Sequence, residues 1–178
     1  VELDLDDLAG AQRDAQRAVS IDPNSASNLS TRCRVRLAQS QPQLALVDCS
    51  SAVTLDEDWP TPRFYRGRAE FDLTQFAAAE ADFTKYIAIQ PDGDNAYYWR
   101  AASRLELQKY VDALADVNHY LQAHPDDADT YLLLARIKLA QGQKDAAREA
   151  ATTALKHYRI DNDDEGAARA EKFLDSLQ

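Results

Sequence analysis

The residues in this chain that could do chemistry are few, and their spacing speaks of position more than of reaction. Arg32, Arg66 and Arg100 recur at one interval, and Asp48, Asp82 and Asp116 each follow 16 residues later. A guanidinium and a carboxylate repeated in this way admit two readings. One is a basic strip for an acidic ligand, and the other is a partly buried pair that fixes the register of two helices. At the next interval both partners change together, to Leu134 and Ala150. Joint loss is what an internal pair predicts, so the ion pairs are read as structural. Cys33 and Cys49 lie symmetrically about a turn signal at Gln41. They should face each other, which permits a disulfide and, with it, an oxidising compartment. The alternative is two small buried thiols in a reduced environment.

Other chemistry finds little support. His119, His124 and His157 have no Cys, His or Glu at ligand spacing on the same face, so no metal site is expected. There is no phosphate loop, no Ser nucleophile in a strained turn and no Gly-rich dinucleotide fingerprint. The carboxylates are spread over outer faces and linkers, and nothing forecasts a pocket that would shift the pKa of a catalytic pair. The expectation is a chain that is not an enzyme and uses no cofactor.

Charge narrows the partners. The 178 residues carry 30 Asp and Glu against 20 Lys and Arg, a formal net charge of −10. Such a surface repels a phosphate backbone or an anionic membrane, so the expected partner is a protein or peptide and not nucleic acid. No apolar run reaches the roughly 18 residues needed to cross a bilayer, and the first residues do not resemble a signal peptide. A soluble chain without direct membrane insertion is expected. The compartment stays open, leaning to the cytoplasm, or to the periplasm or outside if Cys33 and Cys49 are oxidised. Met is absent (count 0), which reads as a segment cut from something longer.

The elements that position these residues follow from an internal repeat. Ala11, Ala45, Ala79, Ala113 and Ala147 form one column at an offset of 34 residues. Val19, Val53, Ile87, Leu121 and Leu155 form a second, and Leu3, Leu37, Phe71, Leu105 and Leu139 a third. Cys33, Gly67, Ala101 and Ala135 make a column of small residues, where two antiparallel helices must approach closely. Apolar spacing inside each unit is helical, with breaks near Ser40-Gln41-Pro42, Thr74-Gln75, Gln108-Lys109 and Gly142-Gln143, and again near Pro23, Asp56-Trp59, Pro91 and Pro125. Each unit is thus two helices of about 14 residues. Phe76, Phe83 and Tyr110 are expected to fill the space between neighbouring hairpins. The fold class is all-α, a solenoid of antiparallel helical hairpins.

This pattern resembles the tetratricopeptide repeat, most closely at Gly67, Ala69, Phe76, Ala79, Phe83, Ile87 and Pro91. Departures are Pro42 in an aromatic position, Glu57 and Arg159 in place of the closing Pro, and Lys144 in place of a packing aromatic. The resemblance implies a right-handed superhelix. In its frame, residues 1–25 supply only the second helix of a first repeat, about Asp6 to Ser20, after a short stub. Residues 26–59, 60–93, 94–127 and 128–161 are complete repeats, and 162–178 form a capping helix. An uncovered first helix would expose Leu3, Leu8 and Val19, so either upstream repeats or a contact is expected to cover them.

The family places the first helix of each repeat on a concave surface. The side chains that would face it include Ser30, Arg34, Tyr65, Arg68, Asp72, Asn95, Trp99, Ala102, Asp129, Leu133 and Arg136. Of these, Arg34, Tyr65, Arg68, Asp72, Asn95, Trp99 and Arg136 are read as a peptide-binding groove, by ring stacking and by donation to carboxylates or backbone. Phe64 and Tyr98 are read as packing residues. A carboxylate clamp of the kind that binds chaperone C-termini lacks its Lys and Asn here, since Ser30, Thr31 and Phe64 stand in those places. The functional expectation is a non-catalytic protein-interaction scaffold, in a bacterial style of repeat. The alternatives are a self-association module acting through the uncapped N-terminal end, and a regulatory segment of a larger protein.

Overall fold

The computed structural model describes residues 8–178, so the stub at residues 1–7 and Leu3 of the apolar column lie outside the described residues. The described residues form ten helices and no strand: α1 (Leu8–Ile21), α2 (Ala26–Ala38), α3 (Pro42–Leu55), α4 (Pro60–Asp72), α5 (Phe76–Ile89), α6 (Asp94–Glu106), α7 (Tyr110–Ala123), α8 (Ala128–Ala140), α9 (Lys144–Ile160) and α10 (Asp164–Asp175). Their ends carry local chemistry. Ser25, Asp127 and Asp163 accept from the N–H groups of Asn28, Thr130 and Gly166, capping α2, α8 and α10. Pro42 and Pro60 open α3 and α4, where their missing N–H groups have no helical partner to lose.

One turn geometry closes every hairpin. Ser40, Thr74, Gln108 and Gly142, spaced by the repeat, adopt left-handed backbone with φ of 56°, 59°, 60° and 77°. The N–H of Ser40 donates to Leu37 O and that of Gln41 to Arg36 O, each at 2.9 Å, which satisfies the last carbonyls of α2. The same two bonds follow α4, α6 and α8. Only Gly142 takes this conformation without steric cost. At the far end, α9 runs 17 residues against 13 or 14 in the other hairpin helices, because Arg159 stands where a Pro would stop it.

The chain divides into two compact units, Val1–Ala96 and Tyr97–Gln178, with the division inside α6. In the first, α1 packs on α2, α2 pairs with α3, α3 packs on α4, and α4 pairs with α5. Helix α2 also reaches α4, whereas α3 and α5 approach nowhere within 8 Å between Cα atoms. First helices that touch and second helices that splay bend this unit so that α2 and α4 line its concave side. In the second unit α7 packs on α8, α8 pairs with α9, α9 packs on α10, and α8 also touches α10 while α7 and α9 stay apart. Its concave side is accordingly lined by α8 and α10.

Packing follows the small-residue column. Cys33, Ala45, Cys49 and Ala69 form one buried cluster, with Leu37, Leu46 and Tyr65 laid against it. Gly67 admits the fully buried ring of Phe83, and a Cβ there would stand 3.0 Å from that ring. Phe83 also meets Phe64 edge-on, and Phe76 meets Phe71, so these rings pack inside their own hairpin as well as filling space. The exposure expected of Val19 does not occur: it is buried against Leu29 and Ala52, and Leu8 is half-buried. The cover for Val19 comes from within the chain, from Leu29 of α2 and Ala52 of α3.

Candidate functional site

The repeated Arg and Asp columns meet inside the hairpins. Arg32 donates to both carboxylate oxygens of Asp48, Nε to Oδ2 at 2.7 Å and Nη2 to Oδ1 at 2.6 Å. Arg66 grips Asp82 at 2.5 and 2.7 Å, and Arg100 grips Asp116 at 2.9 and 2.7 Å, with the same atoms. All three aspartates are buried, so each carboxylate depends on its fork for the hydrogen bonds it gives up to water. The bond to Asp48 raises the pKa of Arg32, and that to Asp82 raises the pKa of Arg66, each above the usual arginine value. In the fourth hairpin Leu134 and Ala150 lie in one apolar cluster instead.

A second arginine completes two of these sites, and sequence reading passed over it. Arg36 Nη1 donates to Asp48 Oδ2 at 2.6 Å, and Arg104 Nη1 to Asp116 Oδ2 at 2.7 Å. The signal was available, since Arg36 and Arg104 share a repeat column. Between them that column holds Glu70, and the second cation on Asp82 is Arg63, 3.8 Å away from the preceding turn. Cys33 and Cys49, each next to a member of the first pair, are joined as a disulfide with Cα atoms 5.5 Å apart and no exposed surface.

The groove residues divide between the units. In the first, Arg34, Tyr65 and Arg68 are half-buried and Asp72 and Asn95 exposed. Tyr65 rests on the Cys33–Cys49 cluster and crosses Phe64 edge-on, with centroids 5.4 Å apart. Nε of Arg34 is buried without a hydrogen bond. Burial raises the pKa of Asp72, and the charge of Arg68 pulls it part of the way back. Ser30 is buried, so it belongs to the core and not to the groove.

In the second unit Trp99 is half-buried and meets Tyr98 edge-on at 5.2 Å. Tyr98 is a packing residue against Tyr120, and burial pushes its hydroxyl up to about 12, with the charges of Asp129 and Asp127 adding to the shift. Ala102 and Leu133 are buried in place of facing a groove. Asp129 is engaged: it accepts from Tyr158 at 2.5 Å and from Arg169 at 3.1 Å. Arg136 is exposed and donates to Glu106 at 2.8 Å. That pair borders an open cavity of about 480 Å³ lined by Leu105, Gln108, Tyr110, Leu139, Ala140 and Phe173. Its floor draws on Leu105 and Leu139 of the repeated apolar column and on Phe173 of the capping helix, none of which stood among the expected groove residues.

Among the described residues no three of His, Cys, Asp or Glu are grouped to hold a metal ion, and no helix is long and apolar enough to cross a membrane. His119 lies tilted against Tyr97, and His157 stacks on Tyr131.

Comparison with known proteins agrees with this architecture. Residues 104–164 match the tetratricopeptide repeat family model. Comparison with curated proteins finds no match. Among solved structures, a thermophilic tetratricopeptide-repeat protein of Thermus thermophilus superposes with a TM-score of 0.76 at 19% identity, covering 96% of this chain and 92% of that one. MamA superposes at 0.75 with 20% identity over 88% and 92%, and PilF of Pseudomonas aeruginosa at 0.70 with 16% identity over 96% and 84%. At such identities the likeness shows the fold. Repeats of this class are in general non-catalytic scaffolds for protein–protein interaction. Residues 104–164 thus match the tetratricopeptide-repeat family model, and the chain as a whole shares the helical-repeat fold of these structures.

Proposed function

We propose that the chain is a non-catalytic scaffold whose concave faces each receive an extended or helical protein segment bearing apolar and acidic residues. The observation that carries this reading is the open cavity on the second unit. Its volume of about 480 Å³ suits one or two large side chains, and its walls of Leu105, Leu139, Ala140 and Phe173 are apolar. Arg136 at its rim can exchange the exposed Glu106 for a partner's carboxylate at little net cost, because exposed ion pairs contribute only about 0–1 kcal/mol. In the first unit, the half-buried Arg34, Tyr65 and Arg68 and the exposed Asp72 support a second contact of the same kind. We further place the chain in an oxidising compartment, periplasmic or extracellular, because Cys33 and Cys49 are bonded.

Selection of displayed peptides on the purified protein tests the groove. Enriched sequences should carry a large apolar residue next to Asp or Glu, and Leu139→Arg should abolish their binding while leaving the helical circular dichroism unchanged. Arg136→Glu should shift the preference away from acidic residues. Binding that survives both substitutions would remove this face from the function.

A further inference from the structure

Helix α3 is the one second helix of a hairpin whose outer face carries several large apolar side chains and no charge. Leu44, Val47 and Leu55 are 49, 62 and 47% exposed. The repeat column of Val47 elsewhere holds Arg13, Ala81, Ala115 and Glu149, and that of Leu44 holds Gly10, Ala78, Asp112 and Ala146. The only ionisable group in α3, Asp48, is buried and turned into the hairpin. Ser51 and Thr54 do not make the face polar either. Their hydroxyls donate back to Val47 O at 3.1 Å and to Ser50 O at 2.9 Å, leaving methylene and methyl groups outward. An uncapped apolar stripe of this kind is a contact surface waiting for an occupant.

We propose that the occupant is a second copy of this chain, with α3 packed antiparallel on α3 about a two-fold axis near Val47 and Ser51. Two arguments select it. Chains of net charge −10 repel each other, and contact through most faces would add like-charge pairs. The α3 face adds none, and an uncharged apolar stripe is complementary to itself, as an isologous interface requires. Orientation follows from the two ends of the helix. Asp56, Glu57 and Asp58 are exposed at the C-terminal end of α3. At the other end, the N-cap Gln41 makes no side-chain capping bond and the first turn of α3 holds no acidic residue, so α3 itself supplies no negative charge to the positive end of its dipole. Antiparallel packing lays the acidic triplet of one copy beside the N-terminus of the other and sets Leu44 opposite Leu55. Parallel packing would bring the two acidic triplets together.

Sedimentation equilibrium of the intact chain across a concentration series tests the proposal. The chain should sediment as a monomer–dimer equilibrium, and Val47→Glu, which sets two carboxylates across the axis, should weaken the dimer by about a hundredfold or more. Leu44→Lys and Leu55→Glu should each weaken it, and the two together should restore it, since the new charges face each other only in the antiparallel arrangement. A strict monomer at every concentration would overturn the proposal and leave the stripe to some other apolar partner. A dimer unaffected by Val47→Glu would overturn it as well, and failure of the double variant to recover would exclude the antiparallel arrangement.

Discussion

Glu70 lies beside Asp82 inside the α4–α5 hairpin, at the position where α2 carries Arg36 and α6 carries Arg104. Only 8% of Glu70 is exposed, and its Oε2 is buried without a hydrogen bond. Arg66 Nε stands 4.0 Å from Oε1 while gripping Asp82, and Arg63 leans on Asp82 as well. Two hairpins thus surround one buried carboxylate with two arginines, and this one adds a second carboxylate.

A pH dependence follows. Burial raises the Glu70 carboxyl, the charge of Asp82 raises it further and Arg66 pulls it back, leaving it pushed up to about 7. An unfolded Glu titrates near 4.3, so between that value and about 7 the folded chain holds a proton that the unfolded chain has lost. Stability from this site is therefore full at the acid end and falls as pH rises through the window. Urea denaturation at pH 5 and pH 8 should show a decline in the parent that Glu70→Gln reduces by about 2 kcal/mol. Parallel behaviour of parent and variant would show that Glu70 stays ionised throughout.

The Arg–Asp pairs separate attraction from the cost of burial. Asp116→Ala leaves Arg100 and Arg104 facing a carboxylate that is gone, and should cost about 3 kcal/mol. Arg100→Leu with Asp116→Ala copies the chemistry of Leu134 and Ala150 in the fourth hairpin, and should cost less than Asp116→Ala alone. Chemical denaturation of the single and paired variants measures the difference. Equal losses would mean that the carboxylate contributes only local packing.

What the sequence made legible was whatever the period repeats. The helices, the turns at Ser40, Thr74 and Gln108, and the meeting of Arg32 with Asp48 all follow from columns that recur every 34 residues. The groove was harder, because facing a concave side depends on how far each helix is rotated. A shift of one position is enough to bury Ser30, Ala102 and Leu133 while Arg34 and Arg136 keep their outward atoms. The role of Glu70 was hidden for the opposite reason. A period reveals what recurs, and Glu70 matters because it breaks the column of Arg36 and Arg104.

Thr74 offers a gain in stability. It is a β-branched residue at φ 59°, where side chains of that shape crowd the backbone, and the fourth hairpin places Gly142 in the same role. The N–H groups of Thr74 and Gln75 close the turn after α4, so the bonds survive loss of the side chain. Thr74→Gly should raise stability by about 1 kcal/mol, since relief of left-handed strain outweighs the added freedom of the unfolded chain. Thermal unfolding of parent and variant checks the sign, and a lower Tm would show that the strain is absorbed elsewhere.

The disulfide supplies the last expectation. Cys33 and Cys49 close a loop with a sequence separation of 16, for which the chain-entropy account gives about 3 kcal/mol. Both are without exposed surface, beneath Tyr65 and beside the forked Arg32–Asp48 pair. Attack by an external thiol therefore requires the α2–α3 hairpin to open, and in the folded chain the bond should resist mild reductant. Protein purified from its own host without reductant should show no free thiol after denaturation, and two after reduction. Cys33→Ala with Cys49→Ala should lower stability by about 3 kcal/mol while leaving the helical content intact. Two free thiols in the native preparation would instead place the chain in a reducing compartment and leave Cys33 and Cys49 as small buried core residues.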